Sequence, residues 1–238
     1  MSEVSNTTEK IQFDVETTRI LGILSSEIYD SPKAFLRENV QNAYDAILMR
    51  CTAEDISLLD RKIEITLEGE TLSVRDDGIG MTEEVLKQNF WKAGSSGKKT
   101  KLAQRSGVIG TFGIGAMANF GVCTALRVET RNIEAVETLI SGARRDDLKI
   151  GQDCIDFDRQ VDEREPGTLI VAELDPEYPI DNESVSAYLK QYVQFLNVAV
   201  TVNGKLISQE RFEDTLAGRA EGFKEISTRE VSKGAFGG

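Results

Sequence analysis

The stretch KIEITLEGETLSVRD, residues 62–76, limits what this 238-residue chain can fold into more than any other. Apolar and polar residues alternate on both sides of Glu68-Gly69-Glu70, the pattern of two strands turned back on each other. A tight turn between strands requires antiparallel pairing. VAVTVNGKLIS (198–208) repeats the device around Asn203-Gly204, a strong hairpin turn. ALRVETR (125–131), TLISGAR (138–144) and GTLIVAEL (167–174) alternate in the same manner, and IQFDV (11–15) reads as a short strand. Helical spacing of apolar residues marks TTRILGILSSEIY (17–29) and ESVSAYLKQYVQFL (183–196). A further helix is expected to start at Ser31-Pro32, a cap followed by proline, and to run to about Arg50. The strand–helix rhythm of a doubly wound fold is missing. The expected class is therefore an α/β two-layer sandwich: a mostly antiparallel, mixed sheet with helices on one face.

Charge and composition remove several functions. The net charge is −12, which argues against a sequence-independent grip on nucleic acid, since that depends on neutralising phosphates. Only KKTKLAQR (98–105) forms a basic run. No apolar stretch approaches the ~20 residues of a membrane span, and the polar start, MSEVSNTTEK, lacks the apolar core of a signal peptide. Cys51, Cys123 and Cys154 are too few for a disulfide framework and wrongly spaced for zinc, so a reducing, cytoplasmic setting is expected. The chain has no histidine, so histidine-dependent triads and metal sites within it are excluded. General-base work falls to a carboxylate or a lysine.

Three segments carry the polar chemistry. FLRENVQNAYDAI (35–47) places Glu38, Asn42 and Asp45 on one stripe of a helix, because a helix turns about 100° per residue. The stripe lies beside the apolar residues Phe35, Leu36, Val40, Ala43 and Ile47, close to the buried face. VRDDGIGM (74–81) ends a strand in two carboxylates and two glycines, which suits close approach of the backbone to a ligand. GVIGTFGIGAMANF (107–120) sets Gly110, Gly113 and Gly115 before a compact, helix-capable run, a pattern that can offer N–H groups to an anion. Its match to the dinucleotide fingerprint is by letter only, as no βαβ unit surrounds it, and GSSGKKT (94–100) fails the spacing of a phosphate loop.

In this order the three segments resemble the N, G1 and G2 boxes of the GHKL ATPases, which share the Bergerat ATP-binding fold. EKIQFDVETTRILGILSSEIYDSPKAFLRENVQNAYDAI, VRDDGIGMT, VIGTFGIGAMANF, EPGTLIVAEL and YLKQYVQFLNVAVTV are similar to the N-terminal domain of heat shock protein 90 chaperones, over roughly residues 9 to 205. The resemblance implies ATP and Mg²⁺ as ligands. It implies Glu38 as general base for the attacking water, Asn42 as Mg²⁺ ligand, and Asp76 as acceptor for the adenine amine. Thr168 would support the adenine site, Gly80 would leave room for the purine and Met81 would wall the pocket. Asp45 would lie near the nucleotide and Asn89 near the ribose. Gly110, Gly113, Ile114 and Gly115 would meet the phosphates under a lid of about residues 82–115.

Departures from the chaperone pattern concentrate in that lid. The lysine usual in its first part is replaced by AGSSG, leaving Lys98 or Lys99 to reach a phosphate, and Ala116 stands where an aromatic is common. Asp77 replaces a small hydroxyl residue after Asp76. The expected function is that of an ATP-driven molecular clamp, with domain 1–208 followed by a charged extension, 209–238, leading to a downstream domain. Expected partners are ATP or ADP, client proteins and a second copy in the full-length protein, the piece itself being monomeric. An ATP-gated DNA-handling protein and a nucleotide-sensing module of a defence system are the alternatives. Retention of Glu38 counts against a pure sensor.

Overall fold

The computed structural model describes residues 33–92, 101–106, 119–149 and 152–212. The strand expected at 11–15, the helix at 17–29 and the cap at Ser31-Pro32 lie outside these, as does the chain after 212. Within them run α1 (Ala34–Glu54), β1 (Lys62–Glu68), β2 (Thr71–Asp76), α2 (Glu83–Val85) continuing as a π-turn (Leu86–Phe90), and α3 (Lys101–Ser106). β3 (Cys123–Arg131), β4 (Glu137–Arg144), β5 (Asp156–Val161), β6 (Gly167–Leu174), α4 (Asn182–Val193), β7 (Ala199–Val202) and β8 (Lys205–Leu206) follow.

The eight strands form one sheet in the order β5-β4-β3-β6-β2-β1-β7-β8. Both expected hairpins are present, β1 with β2 and β7 with β8, and β1 with β7 is a parallel pair in an otherwise antiparallel sheet. The class is the mixed α/β sandwich read from the sequence. Two boundaries differ. α1 passes Arg50 by a full turn and stops where Asp55 enters the left-handed region (φ 54°, ψ 47°), its N–H bonding Cys51 O. β5 is a strand that periodicity misses, because it is an edge strand with only Phe157 turned inward among its partly buried positions.

Alternation decides which face is covered. Ile63, Ile65, Leu72, Val74, Val200 and Val202 point to one side and pack against Phe35, Leu36, Val40 and Ile47 of α1 and Val185 and Leu189 of α4. A second cluster joins Leu126, Val128, Leu139 and Ile170 to Leu86 and Phe120. Each of these large side chains, once buried, contributes about 1.5–3 kcal/mol. On the same covered face the strand register sets three polar residues in a row: Asp76 of β2 opposite Thr168 of β6, and Thr168 opposite Thr130 of β3. Polar residues in a row on an apolar face need partners. Those partners define the site.

Candidate functional site

The loop after Asp76 is fixed by backbone contacts on both sides. Ile79 N donates to Ala46 O of α1 at 3.0 Å, and Ile133 N donates to Ile79 O at 3.0 Å. The buried Asn132 amide donates to Ile79 O and Gly80 O at 3.1 and 3.2 Å. Met81 N donates to Thr130 Oγ1 at 2.8 Å. Glycine is required where this packing is tightest. A Cβ at Gly78 would stand 2.6 Å from Ala46 Cβ, and one at Gly80, where φ is +67°, would stand 1.9 Å from Arg131 O. DDGIG is thus a backbone clasp against α1 and the end of β3.

Asp76 sits at the head of the clasp. Gly78 N donates to its Oδ1 at 2.8 Å. The residue retains partial surface exposure, yet its carboxyl group is deep. Burial is the largest influence and raises its pKa from 3.8 to about 7; the Gly78 and Thr168 N–H groups pull down and neighbouring Asp77 pushes up. Asp77 faces away, its carboxylate accepting from Lys62 N at 3.1 Å and pairing with Arg61 at 3.4 Å. Arg50 of α1 stitches the same corner by donating to Asp77 O at 2.9 Å.

On α1 the expected stripe is real and graded. Asp45 is buried, Asn42 is partly buried, and Glu38 keeps 19% of its side chain exposed. Ala46, whose carbonyl holds Ile79, lies one turn past Asn42 and two past Glu38, so the clasp meets the helix just beyond the stripe. Arg37 pairs with Glu38 at 3.3 Å while its guanidinium lies 5.6 Å from the Tyr192 ring centre of α4. Behind the stripe, the buried Asn39 donates to Asn119 Oδ1 at 2.7 Å, tying α1 to the residues that follow the glycine-rich segment.

Of the other expected site residues, Thr168 is buried beside Asp76 and shares a 3.0 Å hydroxyl contact with Thr130. Met81 packs on the second core cluster, and Asn89 is partly buried on the π-turn with Phe90 and Trp91. Lys98, Gly110, Gly113, Ile114 and Gly115 lie outside the described residues. Sequence reasoning passed over Asn39, Asn119, Thr130 and Asn132. Their one visible signal is a polar residue at an inward position of an apolar pattern. A cavity of about 560 Å³ borders Asp76 and Thr168 but otherwise has outward-facing walls, including Arg75, Glu129 and Leu169. It belongs to the side of the sheet that no described helix covers, where Arg61–Asp77 and Arg164–Glu129 close on themselves.

The donor set of the site is all oxygen: Glu38 and Asn42 at i and i+4, with Asp45 nearby on the same helix. Such hard donors suit Mg²⁺ in company with phosphate oxygens, and the chain has no histidine to compete. Residues 29–150 match the family model described as histidine kinase-, DNA gyrase B-, and HSP90-like ATPase. The chain is 31% identical to the chaperone protein HtpG of Oleidesulfovibrio alaskensis over 217 residues, 84% of this chain and 33% of that one. It is 31% identical to the HtpG of Shouchella clausii over 199 residues, 77% of this chain and 30% of that one. It is 30% identical to the mitochondrial TNF receptor-associated protein 1 homolog of Dictyostelium discoideum over 217 residues, 84% of this chain and 30% of that one. The chain spans about a third of the length of these relatives.

Proposed function

This chain belongs to the histidine kinase-, DNA gyrase B- and HSP90-like ATPases, and we propose that it is the ATP-binding and ATP-hydrolysing N-terminal domain of an HSP90-like chaperone. The observation that carries the reading is the register of Asp76 with Thr168 inside a glycine clasp that hangs from Ala46, one turn from Asn42 and two from Glu38. A purine sits against the backbone of the clasp, its amine donating to the Asp76 carboxylate and Met81 forming a wall. Thr168 lines the same edge. Asn42 would hold Mg²⁺ through its side-chain oxygen, and the bound ion would neutralise charge on the phosphates. Glu38 accepts the proton of the water that attacks the γ-phosphorus. The bond to the β–γ bridging oxygen breaks, and ADP and phosphate leave.

In the complete protein, nucleotide binding closes the lid, residues about 82–115, and exposes a dimerisation surface, with IQFDV exchanged between two copies. Lys98 and the glycines at 110, 113 and 115 serve the phosphates. This domain by itself binds ATP, turns it over slowly and is monomeric. Asp76→Asn tests the binding half. Replacing the carboxylate at the adenine amine should weaken ATP binding by about 100-fold or more, as a buried polar partner is left mismatched. Calorimetry that finds the affinity unchanged would remove Asp76 from the adenine site.

A further inference from the structure

Thr130 is wholly buried, and its hydroxyl meets three groups at once. Met81 N donates to Oγ1 at 2.8 Å, Gly167 O lies at 3.2 Å and Thr168 Oγ1 at 3.0 Å. A hydroxyl has one proton and two acceptor positions. Met81 N–H occupies one acceptor position. Gly167 contributes a carbonyl, which can only accept, so the Thr130 proton goes there. That leaves the second acceptor position of Thr130 for the Thr168 proton. The chain of donation therefore runs from Thr168 to Thr130 to Gly167, and the reverse orientation forfeits the Gly167 bond. Thr168, with its proton held from behind, presents only lone pairs to the space beside Asp76. Asp76 and Thr168 are cross-strand partners on the covered face, so their acceptors lie side by side.

We propose that Thr130 is a specificity-determining positioning residue: by holding the Thr168 proton, it makes Asp76 and Thr168 an edge of acceptors that takes an exocyclic amine and refuses a keto oxygen. The inference rests on the adenine-site reading above. It accounts for base discrimination without any contact between Thr130 and the base. A fully buried hydroxyl on an otherwise apolar strand face, between Val128 and the clasp, is explained by the same bonds. Removal of the hydroxyl frees the Thr168 proton to turn into the pocket and donate to a keto group.

The experiment compares the dissociation constants of ATP and inosine triphosphate, which carries a keto oxygen in place of the amine. Wild type, Thr130→Val and Thr130→Ser are measured at pH 8, with melting temperature followed in parallel. Wild type should prefer ATP. Thr130→Val should lower the preference by about ten-fold or more, whereas Thr130→Ser, which keeps the hydroxyl, should discriminate like wild type. Should the valine variant fail to fold, Thr130→Cys, whose sulfur is a poor acceptor for the Thr168 proton, reads the same ratio. A variant that weakens both nucleotides equally and leaves the ratio intact overturns the proposal, because a merely structural Thr130 would do just that. A wild type that binds neither nucleotide overturns the adenine site itself, and this inference with it.

Discussion

The two sides of the site are built differently. On the sheet side, Thr130 is fully buried and Thr168 and Asn132 are 8% exposed; Thr130 and Asn132 are hydrogen-bonded to backbone, and Thr168 to the Thr130 hydroxyl. On the helix side, Glu38 and Arg37 keep 19% and 36% of their side chains in solvent and are joined by one 3.3 Å ion pair. The sheet side is a fixed mould and the helix side is an adjustable edge. A fixed mould suits recognition of a base, whose donors and acceptors never change. An adjustable carboxylate suits a proton acceptor that must wait for water and phosphate to arrive. The difference implies that binding and hydrolysis can be separated by mutation.

The comparison breaks most easily at Gly80. Alanine there would force a side chain into φ +67° and bring its Cβ against Arg131 O, so Gly80→Ala should cost at least about 3 kcal/mol in urea unfolding. A near-neutral result would mean that the mould is not rigid. The next test is pH. Because burial raises the folded-state pKa of Asp76 to about 7, above the ordinary 3.8, the folded form holds the proton more tightly. Its contribution to stability is complete below about pH 4 and is lost as pH rises through about 7. Adenosine affinity should run the other way, rising across the same window as the carboxylate ionises to accept the amine. Both trends should be absent in Asp76→Asn; a wild type with flat profiles would deny that Asp76 titrates in the site. The smallest effect is expected at Arg37. Arg37→Ala removes a partly exposed ion pair and should shift stability by less than about 0.5 kcal/mol in the same unfolding assay. A larger loss would make the helix side as rigid as the sheet side.

Much of this arrangement is legible in the residues themselves. The hairpin at 62–76 and the Asn-Gly turn at 203–204 force the antiparallel sheet, and both are found as expected. The stripe Glu38–Asn42–Asp45 follows from helical spacing alone. β5 escapes because an edge strand buries too little to leave a period, and the true end of α1 escapes because Asp55, not a glycine, enters the left-handed turn. The mould is harder to foresee. Thr130 and Asn132 carry no motif, and their importance lies in which atoms the β3–β6 register and the loop at 79–81 bring to them. Asn39 gives the same lesson on the helix, where its partner Asn119 is 80 residues away.

The most direct measurement is Mg-ATP binding and phosphate release, side by side, for the wild-type chain and for Glu38→Ala. The account predicts similar ATP affinity in both, slow release in wild type and at least about a 100-fold loss of release in the variant. Loss of binding together with release, or release unchanged without the Glu38 carboxylate, would contradict the division between a mould that binds and an edge that catalyses.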